Sequence, residues 1–164
     1  MSDSSSPSGG LSHLDDEGRA RMVDVGAKDA TERTARAACE VHVPAEVAEA
    51  LVAGNLPKGD AIAVARIAGI QAAKRTADLI PLCHQIALSH VDVEIEVDAS
   101  GRVDVSSTVR TVDRTGVEME ALVAVSVAAL TIYDMVKAMA RGARVTDVRL
   151  VEKTGGRRGD WRGD

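Results

Sequence analysis

Thr115-Gly-Val-Glu-Met-Glu-Ala-Leu-Val-Ala-Val-Ser-Val-Ala-Ala-Leu-Thr-Ile-Tyr-Asp-Met-Val-Lys137 is the stretch that organises this chain. It predicts one long helix, polar at both ends and apolar between. Glu118 and Glu120 fall at its start, where unpaired backbone N–H groups and the positive end of the helix dipole favour acids. Asp134 and Lys137 fall near its end, three residues apart and so on one face. The middle is Ala, Val, Leu and Ser. A helix apolar all round is a buried helix, and small residues let a neighbouring element come close. Fourteen residues separate Glu120 from Asp134, roughly 21 Å of helix at 1.5 Å per residue. If both tips act on one small substrate, they must come from different subunits.

Outward from this beam, the clearest strand is Val91 to Val97, whose apolar residues alternate with Asp92, Glu94 and Glu96. That alternation predicts one buried and one wet face. Asp98-Ala-Ser-Gly101 predicts a hairpin turn into a second strand, Val103 to Thr111. After the helix, Ala143 to Lys153 reads as a last strand with loose alternation. Before the hairpin, Arg33 to Val43 predicts a strand and Ala45 to Ala53 a short helix opened by Pro44. Asp60 to Asp78 predicts a second helix, N-capped by Asp60 and carrying Arg66, Lys74 and Arg75. Met22-Val-Asp-Val25 predicts a strand or an extended arm. The order β-α-α-β-β-α-β suits an α+β fold: a ferredoxin-like antiparallel sheet with helices packed on one face.

The 164 residues suggest one catalytic domain over 21–153, with a Ser/Gly-rich lead-in over 1–20 and a Gly/Arg tail over 154–164. Both ends are expected to be flexible, the tail with the further option of a basic flap over an anionic ligand. The chain is 45% hydrophobic but has one Trp, one Tyr and no Phe. Its core must therefore be Val, Ala, Leu and Ile, and it lacks the stacking platforms of a single-strand nucleic-acid binder. A net charge of −5 argues against a nucleic-acid coat. Two cysteines without a CxxC pair, no N-terminal apolar signal and no run read as a membrane span suggest a reduced, cytoplasmic protein.

Several groups could carry chemistry, each with a bland alternative. Lys58 on its Pro-Lys-Gly turn could be a solvated loop lysine. His84, after Pro-Leu-Cys, could be satisfied by backbone. Arg66, Lys74 and Arg75 could form a phosphate-binding helix face or a solvated one. Glu118 and Glu120 could simply favour the helix start. Asp134 and Lys137 could be a surface ion pair or, if partly buried, a proton-transfer pair. No zinc, Walker, GxGxxG or GxSxG pattern is present.

The ordered motifs Met22-Val-Asp-Val25, Lys58-Gly-Asp60, Ala65-Arg-Ile-Ala-Gly-Ile-Gln-Ala-Ala-Lys-Arg-Thr76, Asp78-Leu-Ile-Pro-Leu-Cys-His84, Thr115-Gly-Val-Glu-Met-Glu-Ala-Leu122 and Ala128-Ala-Leu-Thr-Ile-Tyr-Asp134 together resemble the MoaC family of cyclic pyranopterin monophosphate synthases. The resemblance spans about residues 22 to 160. It implies a ferredoxin-like fold and a role in molybdenum cofactor biosynthesis. The implied reaction converts 3′,8-cyclo-7,8-dihydro-GTP to cyclic pyranopterin monophosphate and pyrophosphate. The implied assembly is a homohexamer, a trimer of dimers with sites at subunit interfaces. Lys58, Asp134 and Lys137 are the implied catalytic residues. Leu82, Cys83, His84, Glu118, Met119, Glu120, Lys74, Arg75 and Lys153 are expected to bind substrate. No protein metal and no resident cofactor are expected, although Mg²⁺ could accompany the triphosphate. In the tail, Arg157-Arg158 stands where the family pattern has Lys-Ser. A nucleotide-sensing domain of the same fold is one alternative; it would need cations but no Asp–Lys pair. A metal-dependent hydrolase is another, and would need Glu118, Glu120 and Asp134 to converge on a cation.

Overall fold

A computed structural model describes residues 17–157 and 159–163. The lead-in expected over 1–20 lies largely outside them. In chain order the elements are β1 (Thr31–His42), α1 (Ala45–Val52), α2 (Ala61–Ala73), α3 (Thr76–Leu79), β2 (Leu88–Val97), β3 (Arg102–Asp113), α4 (Glu118–Val136), β4 (Arg144–Thr154) and β5 (Trp161–Arg162). The sheet is antiparallel throughout, in the order β2-β3-β1-β4-β5. The first four strands thus interleave two split βαβ units, the ferredoxin-like arrangement.

Parity decides which face is covered. Ala35, Ala37, Cys39 and Val41 of β1 are buried, as are Val103, Val105 and Val109 of β3. α4 lies over β1, β3 and β4, and α2 packs beside it over β2. Ser107 Oγ donates to the Ala121 carbonyl at 2.9 Å, tying the sheet to α4. The two helices pack against each other and bury small residues, Ala61, Ala65, Gly69 and Ala72 on α2 and Ala121, Ala124 and Ala128 on α4. A Cβ on Gly69 would stand 2.9 Å from the Ala124 carbonyl oxygen and 3.2 Å from Ala128 Cβ. With no Phe in the chain to fill a wide gap, small residues close it instead.

Three expectations need correcting. The helix expected over 60–78 breaks at Lys74–Arg75. Thr76 Oγ1 donates to the Ala73 carbonyl at 3.0 Å and Arg75 N–H closes a tight turn on Ala72, so α2 ends and the short α3 begins. α4 is not buried all round: Leu130 is 59% and Met119 36% exposed. α4 is also long and apolar enough to cross a bilayer, against the expectation that no run approaches a span. Its packing on the sheet and α2 makes it a core helix here. The described part of the tail makes contacts of its own. Gly155 N–H donates to Asp160 Oδ1 at 2.9 Å, and Trp161–Arg162 pairs with β4 opposite Lys153 and Glu152.

Candidate active site

Two clusters of chemistry-bearing groups form at opposite ends of α4. At its start lies an open cavity of about 730 Å³. The loop after α3 brings Leu82, Cys83 and His84 to it, the first turn of α4 brings Glu118, Met119 and Glu120, and β4 brings Lys153. Seven of the expected substrate-binding residues therefore meet in one place, although they come from three distant parts of the chain. Lys74 and Arg75 line a smaller recess alongside, which shares His84, Ile86 and Glu120 with the cavity. Arg66 is in neither; its Nε donates to the Val93 carbonyl at 3.1 Å and fastens α2 to β2.

The extended arm 22–25 forms no strand but closes one side. His84 Nε2 donates to the Val23 carbonyl at 2.6 Å. Lys28, Arg33, Arg114 and Arg157 also line the cavity, none of them assigned to the site from sequence. With Lys153 they make its rim strongly basic, suited to phosphate oxygens. A signal for Arg33 existed. It shares the parity of Ala35 to Val41, so it must point to the helix-covered face, just beyond the end of the packed core.

Local backbone chemistry shapes this rim. Gly155 and Gly156 have φ of +84° and +86°. A Cβ would fall 2.3 Å from the Glu32 carbonyl on Gly155 and 2.3 Å from Arg33 Nη1 on Gly156. Only glycine lets the chain turn this close to β1. Arg33 Nε donates to the Asp113 carbonyl at 3.1 Å. Lys153 reaches Glu118 at 3.0 Å, so one of the two cavity acids is already paired.

The other acid is not. Glu120 is 3% exposed and forms no ion pair among the described residues. Burial, with a smaller contribution from Glu118, pushes its carboxyl up to about 7 despite a hydrogen bond from its own N–H. Cys83 is likewise raised, by burial and then Glu120.

At the far end of α4, Asp134 sits between two lysines. Lys58 Nζ lies 2.7 Å from Asp134 Oδ2 and donates to the Asp134 main-chain carbonyl at 2.9 Å; Lys137 Nζ lies 2.6 Å from Oδ1. The turn before α2 places Lys58, and Asp60 Oδ1 accepts from Ala63 N–H at 2.9 Å to fix that turn. The partly buried pair considered from sequence is in fact open to solvent, each side chain being about half exposed. Hydrogen bonds from Lys137 and then Lys58 hold the Asp134 carboxyl down at about 2, and Asp134 in turn raises Lys137. Both shifts favour the ion pair. The helix keeps this trio roughly 21 Å from Glu120, so one chain does not unite them. Among the described residues no group of His, Cys, Asp and Glu side chains could hold a metal ion, so the carboxylate cluster of the hydrolase alternative does not form within one chain.

Comparison with known proteins agrees with this geometry. A model of the MoaC family matches residues 22–156. A protein of Streptomyces coelicolor named cyclic pyranopterin monophosphate synthase is 59% identical over 155 residues, covering 94% of this chain and 91% of its own. One of the same name from Roseiflexus castenholzii is 60% identical over 151 residues, covering 92% and 96%. Cyclic pyranopterin monophosphate synthase 2 of Mycobacterium tuberculosis is 58% identical over 154 residues, covering 94% and 92%. The match runs from the extended arm through both clusters to the Gly-Gly turn, and the chain belongs to the MoaC family.

Proposed function

We propose that this chain is a cyclic pyranopterin monophosphate synthase. It acts in molybdenum cofactor biosynthesis on 3′,8-cyclo-7,8-dihydro-GTP, releasing pyrophosphate as the pterin product closes its cyclic phosphate. The observation that carries the reading is the cavity. It gathers Leu82 to His84, Glu118 to Glu120 and Lys153 under a basic rim, at a volume of about 730 Å³, within the range of nucleotide-sized ligand sites. The relatives' shared name supports the reaction.

The cations take the triphosphate, Lys28, Arg33, Arg114 and Lys153 from the cavity and Lys74 and Arg75 from the adjoining recess. Dismantling and reclosing a ribose-derived ring calls for proton transfers rather than electrons, so the enzyme works as a lyase by acid–base chemistry and needs no resident cofactor. Mg²⁺ enters, if at all, with the triphosphate. Asp134 and Lys137 handle protons, and Lys58 moves a proton or stabilises charge beside them. The ion pair of the empty protein does not transfer protons by itself. Substrate must displace or desolvate one partner, which brings the shifted values back toward neutrality.

The length of α4 supports a site shared between subunits. The trio of one subunit completes the cavity of another, in a homohexamer built as a trimer of dimers in the cytoplasm. Leu130 on α4 and Val64 and Ile67 on α2 leave exposed apolar surface on the helical layer, which favours such packing. Incubation with the cyclised GTP intermediate, scoring pyrophosphate and the pterin, tests the reaction. Asp134→Asn should abolish turnover and leave the oligomer intact. Mixing Asp134→Asn subunits with Glu118→Gln subunits should restore about a quarter of the wild-type activity, as random pairing of two-chain sites requires. No recovery in mixed oligomers would refute the shared site.

A further inference from the structure

Lys58 meets Asp134 across 76 residues of chain, and two fixed points hold it there: an acceptor on α4 and a turn before α2. α4 ends at Val136, so the Asp134 carbonyl lies in its last turn. Carbonyls there lack a partner within the helix, and the negative end of the dipole favours a cation. Lys58 Nζ donates to that carbonyl at 2.9 Å as well as to the carboxylate at 2.7 Å. The carbonyl belongs to the backbone and cannot swing away as a side chain can. The place of the ammonium then depends on where the turn sets the Lys58 backbone, because a long, half-exposed lysine side chain has many rotamers to choose from.

The turn is Leu56-Pro57-Lys58-Gly59. Gly59 N–H closes it on the Leu56 carbonyl at 2.9 Å, with Pro57 second and Gly59 fourth, the positions that favour them. Leu56 is buried and fixes the start of the turn to the core. Gly59, at φ +91°, leads the chain out of it. Asp60 fixes the other end. Its Oδ1 accepts from Ala63 N–H at 2.9 Å, and among the described residues no other helix has a side-chain N-cap. α2 does not depend on that cap for its place, since Ala61, Ala65 and Gly69 are buried from its first residue onward. The cap therefore restrains what precedes the helix, and Lys58 is two residues away. Resting on the functional reading above, we propose that Asp60 is a positioning residue of the reaction: its N-cap holds the Lys58 ammonium at the last turn of α4, and it acts through Lys58 rather than on substrate. The role requires a side-chain oxygen and no charge, so Asn serves as well as Asp.

The test compares the full-length wild type with Asp60→Ala and Asp60→Asn, well below each protein's melting temperature. Turnover of the cyclised GTP intermediate is the first readout. Asp60→Ala should lower kcat roughly tenfold to a hundredfold, the cost of displacing a reacting group by about 1 Å, and change KM by less than about twofold. Asp60→Asn should bring kcat back to within about twofold of wild type, because Asn caps a helix as well as Asp. The second readout needs no turnover: trace acetylation of Lys58 by acetic anhydride at pH 8, followed by mass spectrometry with Lys74 as the internal reference. Lys58 should react roughly twofold to fivefold faster in Asp60→Ala, the protection that a half-exposed ion pair gives, and at the wild-type rate in Asp60→Asn. If Asp60→Ala does not fold, Asp60→Gly takes its place, since glycine is accepted at a helix start but offers no side-chain acceptor. A raised KM with kcat intact overturns the proposal. So does an Asp60→Asn variant as slow as Asp60→Ala, or equal acetylation of Lys58 with and without the cap. Wild-type turnover beside equal acetylation sinks this inference alone. Absent wild-type turnover beside cap-dependent acetylation sinks the synthase reading and leaves the clamp on Lys58 standing.

Discussion

Replacing Glu120 by Gln should stabilise the empty protein, and the gain should depend on pH. The carboxyl is raised from an ordinary 4.5 to about 7 in the fold. Between those values the folded chain holds a proton that the unfolded chain has released, so wild-type stability falls as pH rises through that window. It is fully present below about pH 4.5 and levels off above about pH 7. Gln carries the same shape and no charge, so it avoids this loss. Full conversion of the shift gives roughly 3 kcal/mol. Water in the open cavity screens part of the charge, which brings the expected gain to roughly 1–3 kcal/mol. At pH 8 that corresponds to a melting temperature roughly 2–12 °C higher for a chain of this size. Urea melts at pH 5, 6, 7 and 8 would measure it, at one fixed protein concentration because subunit association adds to apparent stability. The gap should be smallest at pH 5, widen toward pH 7 and then hold. A gap independent of pH, or a wild type more stable than the variant at pH 8, would refute the argument from burial.

Gly69→Ala should destabilise the fold by roughly 1–2 kcal/mol in the same melts, because overpacking the α2–α4 crossing outweighs the better helix propensity of Ala; a net gain would mean the helices can part without loss. Gly156→Ala should weaken binding of a triphosphate probe more than it lowers stability, since the new Cβ displaces the Arg33 guanidinium; unchanged GTP affinity would remove Arg33 from the phosphate site. The Asp134 carboxyl should titrate by carbon-detected NMR near pH 2 and move up toward 3.8 in Lys137→Met. Its ion pairs are thus intact above about pH 4 and are lost as pH falls through about 2. A wild-type midpoint near 4 would contradict the lysine contacts.

How much of this was legible beforehand varies by element. Period-2 alternation in β2, β3 and most of β1, and the long apolar run of α4, follow from side chains that must choose between core and water. They determine an antiparallel sheet covered on one face. The residues at the start of α4 and in the loop after α3 could be assigned only because their short motifs resemble the MoaC family; taken by themselves, their bland alternatives stayed open. Other contacts had no such signal. Along β4 two register shifts, one beside Asp147 at φ +54°, bring Val145, Leu150 and Lys153 all to the helix-covered face. No single period predicts that, because a bulge reverses parity wherever it falls.

The sequence by itself determined the sheet's covered face, the small-residue surface of α4, and the roughly 21 Å between the two tips of α4. Each depends only on residues near one another in the chain. Only the tertiary structure decided that Arg33, Lys28 and Arg114 join the cavity, that Lys153 takes Glu118 and leaves Glu120 buried without a cation, and that the trio around Asp134 is open to solvent. Those are properties of segments brought together from far apart. Burial and pairing, which set the charge of each group, exist only once the segments have met.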